Sequence, residues 1–354
     1  MSESTNIIII GAGLIGLSTA DALLSRGCHV TVVEARSGPA RGTSYANSGM
    51  IHPSQARPWS EGKHIDLDAF TSVHDLALQS RTLLQDKLIS LGLYKDNAVP
   101  GCYKLFPDML AARQAQKRYN QEGVTSRAVL DAEATLGHPA LYFEADLWAN
   151  ARDYAVALEA DLTSRGVTFI YDAHDLRIRR GHQGVTAQMK GHVFQSDHIV
   201  VAAGPQSSEL LAPLKIDVPM TALRGFAVNF EKPDMALPFA PLMDAPSHSA
   251  MTIFGDHLRL SGTVNEASAR PLLQRWYELA PHIMRELKPA TEIWSGLRPM
   301  SKAGRPYISG THVQGLWVNT GHGHMGWTLS AGSGELMAKM ILEGETDNRF
   351  ALNF

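Results

Sequence analysis

The chain holds only two cysteines, Cys28 and Cys102, in 354 residues. They are too few and too far apart for a disulfide framework or a zinc centre, so no metal is expected and a reducing, cytoplasmic setting is. Excess charge is missing as well: 32 Lys and Arg against 35 Asp and Glu leave −3 at pH 7. Nothing in that balance would gather nucleic acid, which points to a small-molecule partner. Long apolar runs are also absent. The N-terminal run is four isoleucines with no basic region before it, too short for a membrane span or a secretory leader. Peripheral contact with the inner membrane and assembly into a homo-oligomer both stay open. Repeats, low-complexity tracts and long linkers are lacking, so a length that suggests two domains implies interleaved ones.

What is present begins almost at once. Ile7-Ile8-Ile9-Ile10 reads as a strand and runs into Gly11-Ala12-Gly13-Leu14-Ile15-Gly16, an amphipathic stretch, and then Val30-Thr31-Val32-Val33-Glu34. The three glycines act differently. Gly11 permits a tight exit from the strand, Gly13 lets a pyrophosphate approach the backbone, and Gly16 lets the helix lie close on the sheet. The helix beginning near Leu14 turns its unpaired N–H groups and positive dipole end toward a diphosphate. Glu34 suits the ribose hydroxyls and repels a 2′-phosphate, which disfavours NADP and leaves FAD or NAD.

Further elements follow from periodicity. Asp66 to about Leu91 and residues 153 to 165 read as helices closed by Gly92 and Gly166. Val167–Tyr171 and His198–Gly204 read as strands, and short β-like runs between 218 and 262 suggest an antiparallel sheet. Near the C-terminus the strand 315–320 enters Gly321-His322-Gly323-His324-Met325-Gly326 and a helix from Trp327 to Leu342, a second glycine-rich helix entry. That entry is either a packed turn or a dipole aimed at a flavin, where it would favour charge on the reduced ring. The polar loop Gly42 to Ile51 offers amides and hydroxyls for a pyrophosphate or ring edge. Arg298 stands among apolar and small residues before Pro299, where a guanidinium needs an anion, either an internal carboxylate or a bound one.

Together these segments resemble the FAD-dependent D-amino-acid oxidoreductase family. The matching pieces are IIIIGAGLIG with Glu34, GTSYANSGMI, VVAAG, GLRPM and NTGHGHMGWTLSAGSG, in the family's order and spanning the chain. The likeness is greatest to bacterial D-amino-acid dehydrogenases of the small-subunit type, with glycine oxidase as a cousin. The resemblance implies an α/β chain, α+β in its second domain. A doubly wound, Rossmann-like FAD domain (1–85, 146–217, 299–354) would interleave with an antiparallel-sheet substrate domain (86–145, 218–298). It implies an FAD site of Gly11, Gly13, Gly16, Glu34, Thr43, Ser44, Asn47, Gly49, Asp175, Ala203, Gly204, Gly323, His324, Met325, Gly326 and Thr328. The neighbours Leu14, Ile15, Ala35, Arg36, Ser48, Met50 and Trp327 complete that set. Arg298 matches the carboxylate-binding arginine, also beside the cofactor.

Departures bear on specificity. Lys302-Ala303-Gly304 stands where the family commonly has an Asp-Gly pair, His324 replaces the arginine of glycine oxidases, and His248 lies in the segment that carries a tyrosine in the dehydrogenases. The expected catalytic group is Arg298 with His324, His248 and His52, oxidising an amino or imino acid by hydride transfer from Cα to flavin N5. A D-amino acid is expected, D-proline or a hydroxy-D-proline being attractive beside a polar His248, with a quinone or O₂ as electron acceptor. A glycine- or sarcosine-type oxidase using O₂ and a non-catalytic FAD-binding subunit are the alternatives.

Overall fold

The computed structural model describes residues 4–59, 67–94, 101–181, 184–189, 192–263 and 267–352. Asp66, the expected start of the long helix, lies outside them. Asn6–Ile10 is a central strand, with Ile7 and Ile9 in the core on one side and Ile8 and Ile10 on the other. Burial on both faces explains an uninterrupted apolar run in place of alternation. Its sheet has six strands, in the order Tyr307–Gly310, Leu316–Thr320, His198–Val201, Asn6–Ile10, His29–Val33, Thr168–Ile170. All neighbours are parallel except Tyr307–Gly310, which is antiparallel at the edge.

One face of this sheet is covered by the helices Leu14–Leu24, Leu67–Ser90, Ala151–Ser164 and Gly326–Glu343. Their close approach needs small residues. A Cβ on Gly334 would lie 2.5 Å from the Ser18 carbonyl oxygen, and one on Gly332 would lie 2.9 Å from that of Leu76. The other face packs on a small three-stranded sheet, Arg177–Gly181, Gly184–Met189 and His192–Gln195, which was not expected from the sequence.

The second large sheet has eight strands, in the order Glu292–Ser301, Met220–Glu231, His257–Thr263, Ser249–Phe254, Leu242–Asp244, Cys102–Leu105, Pro139–Phe143, Arg127–Leu130. The expected antiparallel sheet is therefore mixed, because Cys102–Leu105 enters beside Leu242–Asp244 in parallel. The row Val228, Leu260, Met251, Leu242, Tyr103 packs on helices Arg270–Leu279 and Pro281–Glu286 through Trp276 and Ile283. The neighbouring row, Trp294, Ala227, Ser261, Ala250, Met243, Lys104, faces the opposite way by the pleat. Arg298, four residues after Trp294, shares that second face, so the sheet presents an arginine and a lysine on one surface. The limits expected at 85/86 and 298/299 lie inside the continuous elements Leu67–Ser90 and Glu292–Ser301. None of the described helices is long and apolar enough to cross a membrane.

Candidate active site

The first turn has the shape a dinucleotide requires. Gly11 has φ +111°, and a Cβ there would sit 2.6 Å from the Ala202 carbonyl oxygen. A Cβ on Gly16 would fall 1.8 Å from the Gly11 carbonyl oxygen, so helix and turn touch only because that side chain is missing. A Cβ on Gly13 would meet only Ser44 Oγ, at 3.2 Å, which leaves the helix entrance open above the backbone. Leu14 N–H donates to that same hydroxyl (3.2 Å), so Ser44 stands over the helix N-terminus with Ile15 one residue further into it. The Glu34 carboxylate is held in place by N–H groups of Ala12 (2.7 Å) and Arg36 (2.9 Å). Ala35 and Arg36 are exposed beyond it, and Arg36 lines an open pocket of about 410 Å³ with Arg41, Tyr45, Asp172, His174 and Trp294. Asp175 lies on the exposed turn just after this wall. Ala203 and Gly204, φ +56°, close the chain side of the cradle, where Thr320 Oγ1 donates to the Gly204 carbonyl (3.1 Å). Open glycine backbone, helix N–H donors and a fixed acid form a set that fits the ADP half of a dinucleotide.

Gly16→Ala is expected to weaken FAD retention at least 10-fold and to lower the melting temperature of the apoprotein by about 1–4 °C, since overpacking costs about 1–3 kcal/mol. Differential scanning fluorimetry and the ratio of yellow absorbance to protein absorbance check both effects; an unaltered melting temperature would contradict the fit.

The polar loop is clamped between the eight-stranded sheet and the C-terminal helix. Thr43 Oγ1 donates to the Leu297 carbonyl (2.7 Å), Thr252 Oγ1 to that of Ser48 (2.8 Å), Arg259 Nη1 to that of Asn47 (3.2 Å), and Trp327 Nε1 to that of Gly49 (3.1 Å). Within the loop, Gly49 N–H donates to Asn47 Oδ1 (2.8 Å) and Met50 N–H to Ser48 Oγ (3.4 Å). Arg259, which the sequence did not single out, is itself fixed through Asn229 to Glu292, and Glu292 also accepts from Tyr45 OH (2.8 Å). His52 N–H donates to Thr328 Oγ1 (3.1 Å), joining the loop's far end to the C-terminal helix.

At that helix the glycine-rich entry bends tightly. Gly323 has φ +55°, and a Cβ on it would press 2.9 Å from the Trp59 ring. Met325 is wholly buried, and the short turn Gly323–Met325 passes into the helix at Gly326. The paired histidines separate in role. His322 is buried with Nε2 2.9 Å from Ser333 Oγ, a packing contact, and burial pushes its imidazole down to about 3. His324 keeps an open face while protein surrounds it, as on the wall of a cleft, and meets the Trp59 ring edge-on at 5.7 Å. Its imidazole falls to about 3, through burial first and then the charges of Arg298 and Lys104.

Arg298 is half-buried, and its guanidinium folds across Gly225: a Cβ there would stand 3.3 Å from Arg298 Nε. Burial lowers it to about 10, so it remains a cation at neutral pH. His52 is buried and falls to about 4, chiefly by burial, with Lys104 and Arg298 adding to the effect. His248 occupies the turn of a hairpin with φ +50°, and burial, Lys104 and Arg298 lower it as well. The two expectations for His248 merge, for it is a turn residue that also senses the site's charges. All four expected catalytic residues therefore share one electrostatic neighbourhood. Sequence reading missed Lys104, Trp59 and Asp146, which reach it from distant segments.

A family model described as FAD dependent oxidoreductase matches residues 6–340. The chain belongs to that family. A D-amino acid dehydrogenase of Methylobacterium radiotolerans is 28% identical over 406 residues, covering 95% of this chain and 95% of the relative. Among solved structures, glycine oxidase from Geobacillus kaustophilus superposes with TM-score 0.83 at 22% identity, covering 99% of each chain. Iminodiacetate oxidase from Chelativorans sp. BNC1 does so with TM-score 0.82 at 21% identity, covering 98% of each. The protein is an FAD-dependent oxidoreductase, with the fold that those flavoenzymes share.

Proposed function

We propose that this enzyme oxidises an α-amino or α-imino acid of D configuration, with Arg298 holding the substrate carboxylate. The observation that carries the reading is Arg298 itself, a half-buried cation on the face of the eight-stranded sheet turned away from its helices, whose charge helps lower the imidazoles of His52, His248 and His324. A guanidinium can take a carboxylate through two parallel hydrogen bonds, which fixes the orientation of Cα. Bound FAD supplies the two-electron acceptor for the hydride leaving Cα. Gly11, Gly13, Gly16, Ser44 and Glu34 would hold its ADP half; Thr43, Asn47, Gly49, His324, Met325 and Thr328 would flank its remainder.

The protein's part is electrostatic. The amine must lose its proton before its lone pair can assist the departing hydride. The positive field of Arg298 and Lys104 that depresses His52, His248 and His324 lowers the amine's proton affinity in the same way. With imidazoles that weakly basic, the proton goes to water, and the histidines serve as neutral hydrogen-bonding walls. The D hand follows the naming of the relatives.

Anaerobic mixing of the yellow protein with D- and L-amino acids, sarcosine, D-proline and hydroxy-D-proline tests this. D substrates are expected to bleach the flavin and L enantiomers to bleach it at least 10-fold more slowly, and bleaching by none of them refutes the assignment. Reoxidation rates with O₂ and with a quinone then distinguish an oxidase from a dehydrogenase.

A further inference from the structure

Lys104 lies on the same sheet face as Arg298, five strands away in the order of the sheet. Its ammonium donates to Gln55 Oε1 (2.7 Å) and to Tyr119 OH (3.0 Å), and Tyr119 OH in turn donates to Gln55 Oε1 (2.8 Å). Both acceptors are neutral. An ammonium has three donors, and among the described residues the third meets no protein acceptor and no carboxylate lies within salt-bridge distance. The nearby acids are committed elsewhere: Asp244 to Arg275 (2.8 Å) and Asp146 to Ser54 (2.6 Å). The Lys104 ammonium also lies 5.7 Å from the centroid of the Tyr119 ring, over which the Arg57 guanidinium sits at 4.8 Å. Lys104 is thus a positioned, half-buried cation whose charge reaches His52, His248 and His324, as that of Arg298 does.

A half-buried ammonium positioned by neutral partners keeps a donor and its full charge available to an incoming anion. We propose that Lys104 forms a second anion subsite on the face of the sheet that it shares with Arg298, beside the turn that follows His52, and that the preferred substrates are amino acids with an acidic side chain. This rests on the reading above in which Arg298 takes the α-carboxylate. Two separated cations give such a substrate two fixed ends, and a neutral side chain of equal length would leave Lys104 unpaired. Discrimination of that kind falls on the substrate lacking the second group.

The test compares D-aspartate, D-glutamate and D-2-aminoadipate with the neutral D-2-aminobutyrate, D-norvaline and D-norleucine. The native holoenzyme and its Lys104→Met, Lys104→Arg and Tyr119→Phe variants are used. In the native enzyme kcat/KM is expected to favour one diacid over its neutral counterpart by about 10- to 100-fold, with the best chain length reporting the span between the cations. Lys104→Met abolishes that preference, Lys104→Arg restores part of it, and Tyr119→Phe, which keeps the ammonium, retains it. A non-reacting dicarboxylate, succinate or glutarate, gives a second readout through perturbation of the flavin spectrum, and its Kd rises at least 10-fold in Lys104→Met. If neutral amino acids reduce the flavin and diacids have no advantage, or if Lys104→Met weakens both sets equally, the subsite is refuted. If no amino acid of either kind reduces it, the underlying assignment fails instead.

Discussion

Replacing Arg298 by Ala is expected to lower kcat/KM for an amino-acid substrate by about 10³-fold while the purified protein stays yellow. The size follows from what is removed. Truncating one member of a desolvated, hydrogen-bonded charge pair costs about 2–5 kcal/mol, and about 4 kcal/mol corresponds to a factor near 10³. The loss falls on both KM and kcat, because the same contact binds the carboxylate and aims Cα. Colour is retained because the guanidinium projects from the eight-stranded sheet, while the glycine turn and Glu34 belong to the six-stranded one. Arg298→Lys keeps the charge without the planar fork and is expected to recover about a tenth to a hundredth of native activity. Steady-state rates and flavin content measured on one preparation decide the matter. Undiminished turnover in Arg298→Ala removes Arg298 from its role, and a colourless protein shows it to be a cofactor residue first.

The parts legible in the sequence are those whose determinants are local. The turn from Gly11 to Gly16, the helix Leu14–Leu24 and Glu34 all fall within one βαβ unit, where spacing alone fixes geometry. The helices Leu67–Ser90 and Ala151–Ser164 were likewise readable from apolar periodicity and terminal glycines, and Gly326–Glu343 from the glycine-rich turn that enters it. Lys104 was not legible, because its meaning depends on Cys102–Leu105 entering the second sheet between strands from 242 and 139. No local pattern records that insertion. Arg259 and Asn229 looked like ordinary polar strand residues, yet Arg259, braced by Asn229, clamps the polar loop across more than 200 residues of sequence. A charged residue in a strand otherwise facing a core was the one available sign, and it applied equally to Lys104 and Arg259.

Asp146 makes the second large prediction, one about pH. The carboxyl is 1% exposed, accepts from Ser54 N–H (3.1 Å) and Ser54 Oγ (2.6 Å), and burial pushes it up to about 7. Its ordinary value is 3.8, so between those limits the folded protein holds a proton that the unfolded chain has released. Stability therefore falls as pH rises through that window, by about 1.4 kcal/mol per unit and about 4 kcal/mol in all, and levels off above it. Asp146→Asn cannot ionise. Its oxygen can still accept from Ser54 N–H, but its amide meets Ser54 Oγ, which already accepts from Gln55 Nε2 (2.8 Å), and the displaced hydroxyl proton costs about 1 kcal/mol at every pH.

The native protein should thus be the more stable of the two near about pH 4, and the variant the more stable by about 3 kcal/mol near about pH 8. Buried His52 and His322, both depressed, oppose this trend by losing stability as pH falls below their ordinary value of 6.5. They do so in both proteins and cancel in the difference. Urea midpoints across that range, at saturating FAD, measure it; parallel curves would mean that Asp146 is already ionised in the folded state. Because Ser54 and Gln55 connect Asp146 to the Lys104 ammonium, its ionisation places a negative charge beneath the cation that would receive a substrate's second carboxylate. KM for diacids should accordingly rise with pH through that range in the native enzyme and stay flat in Asp146→Asn.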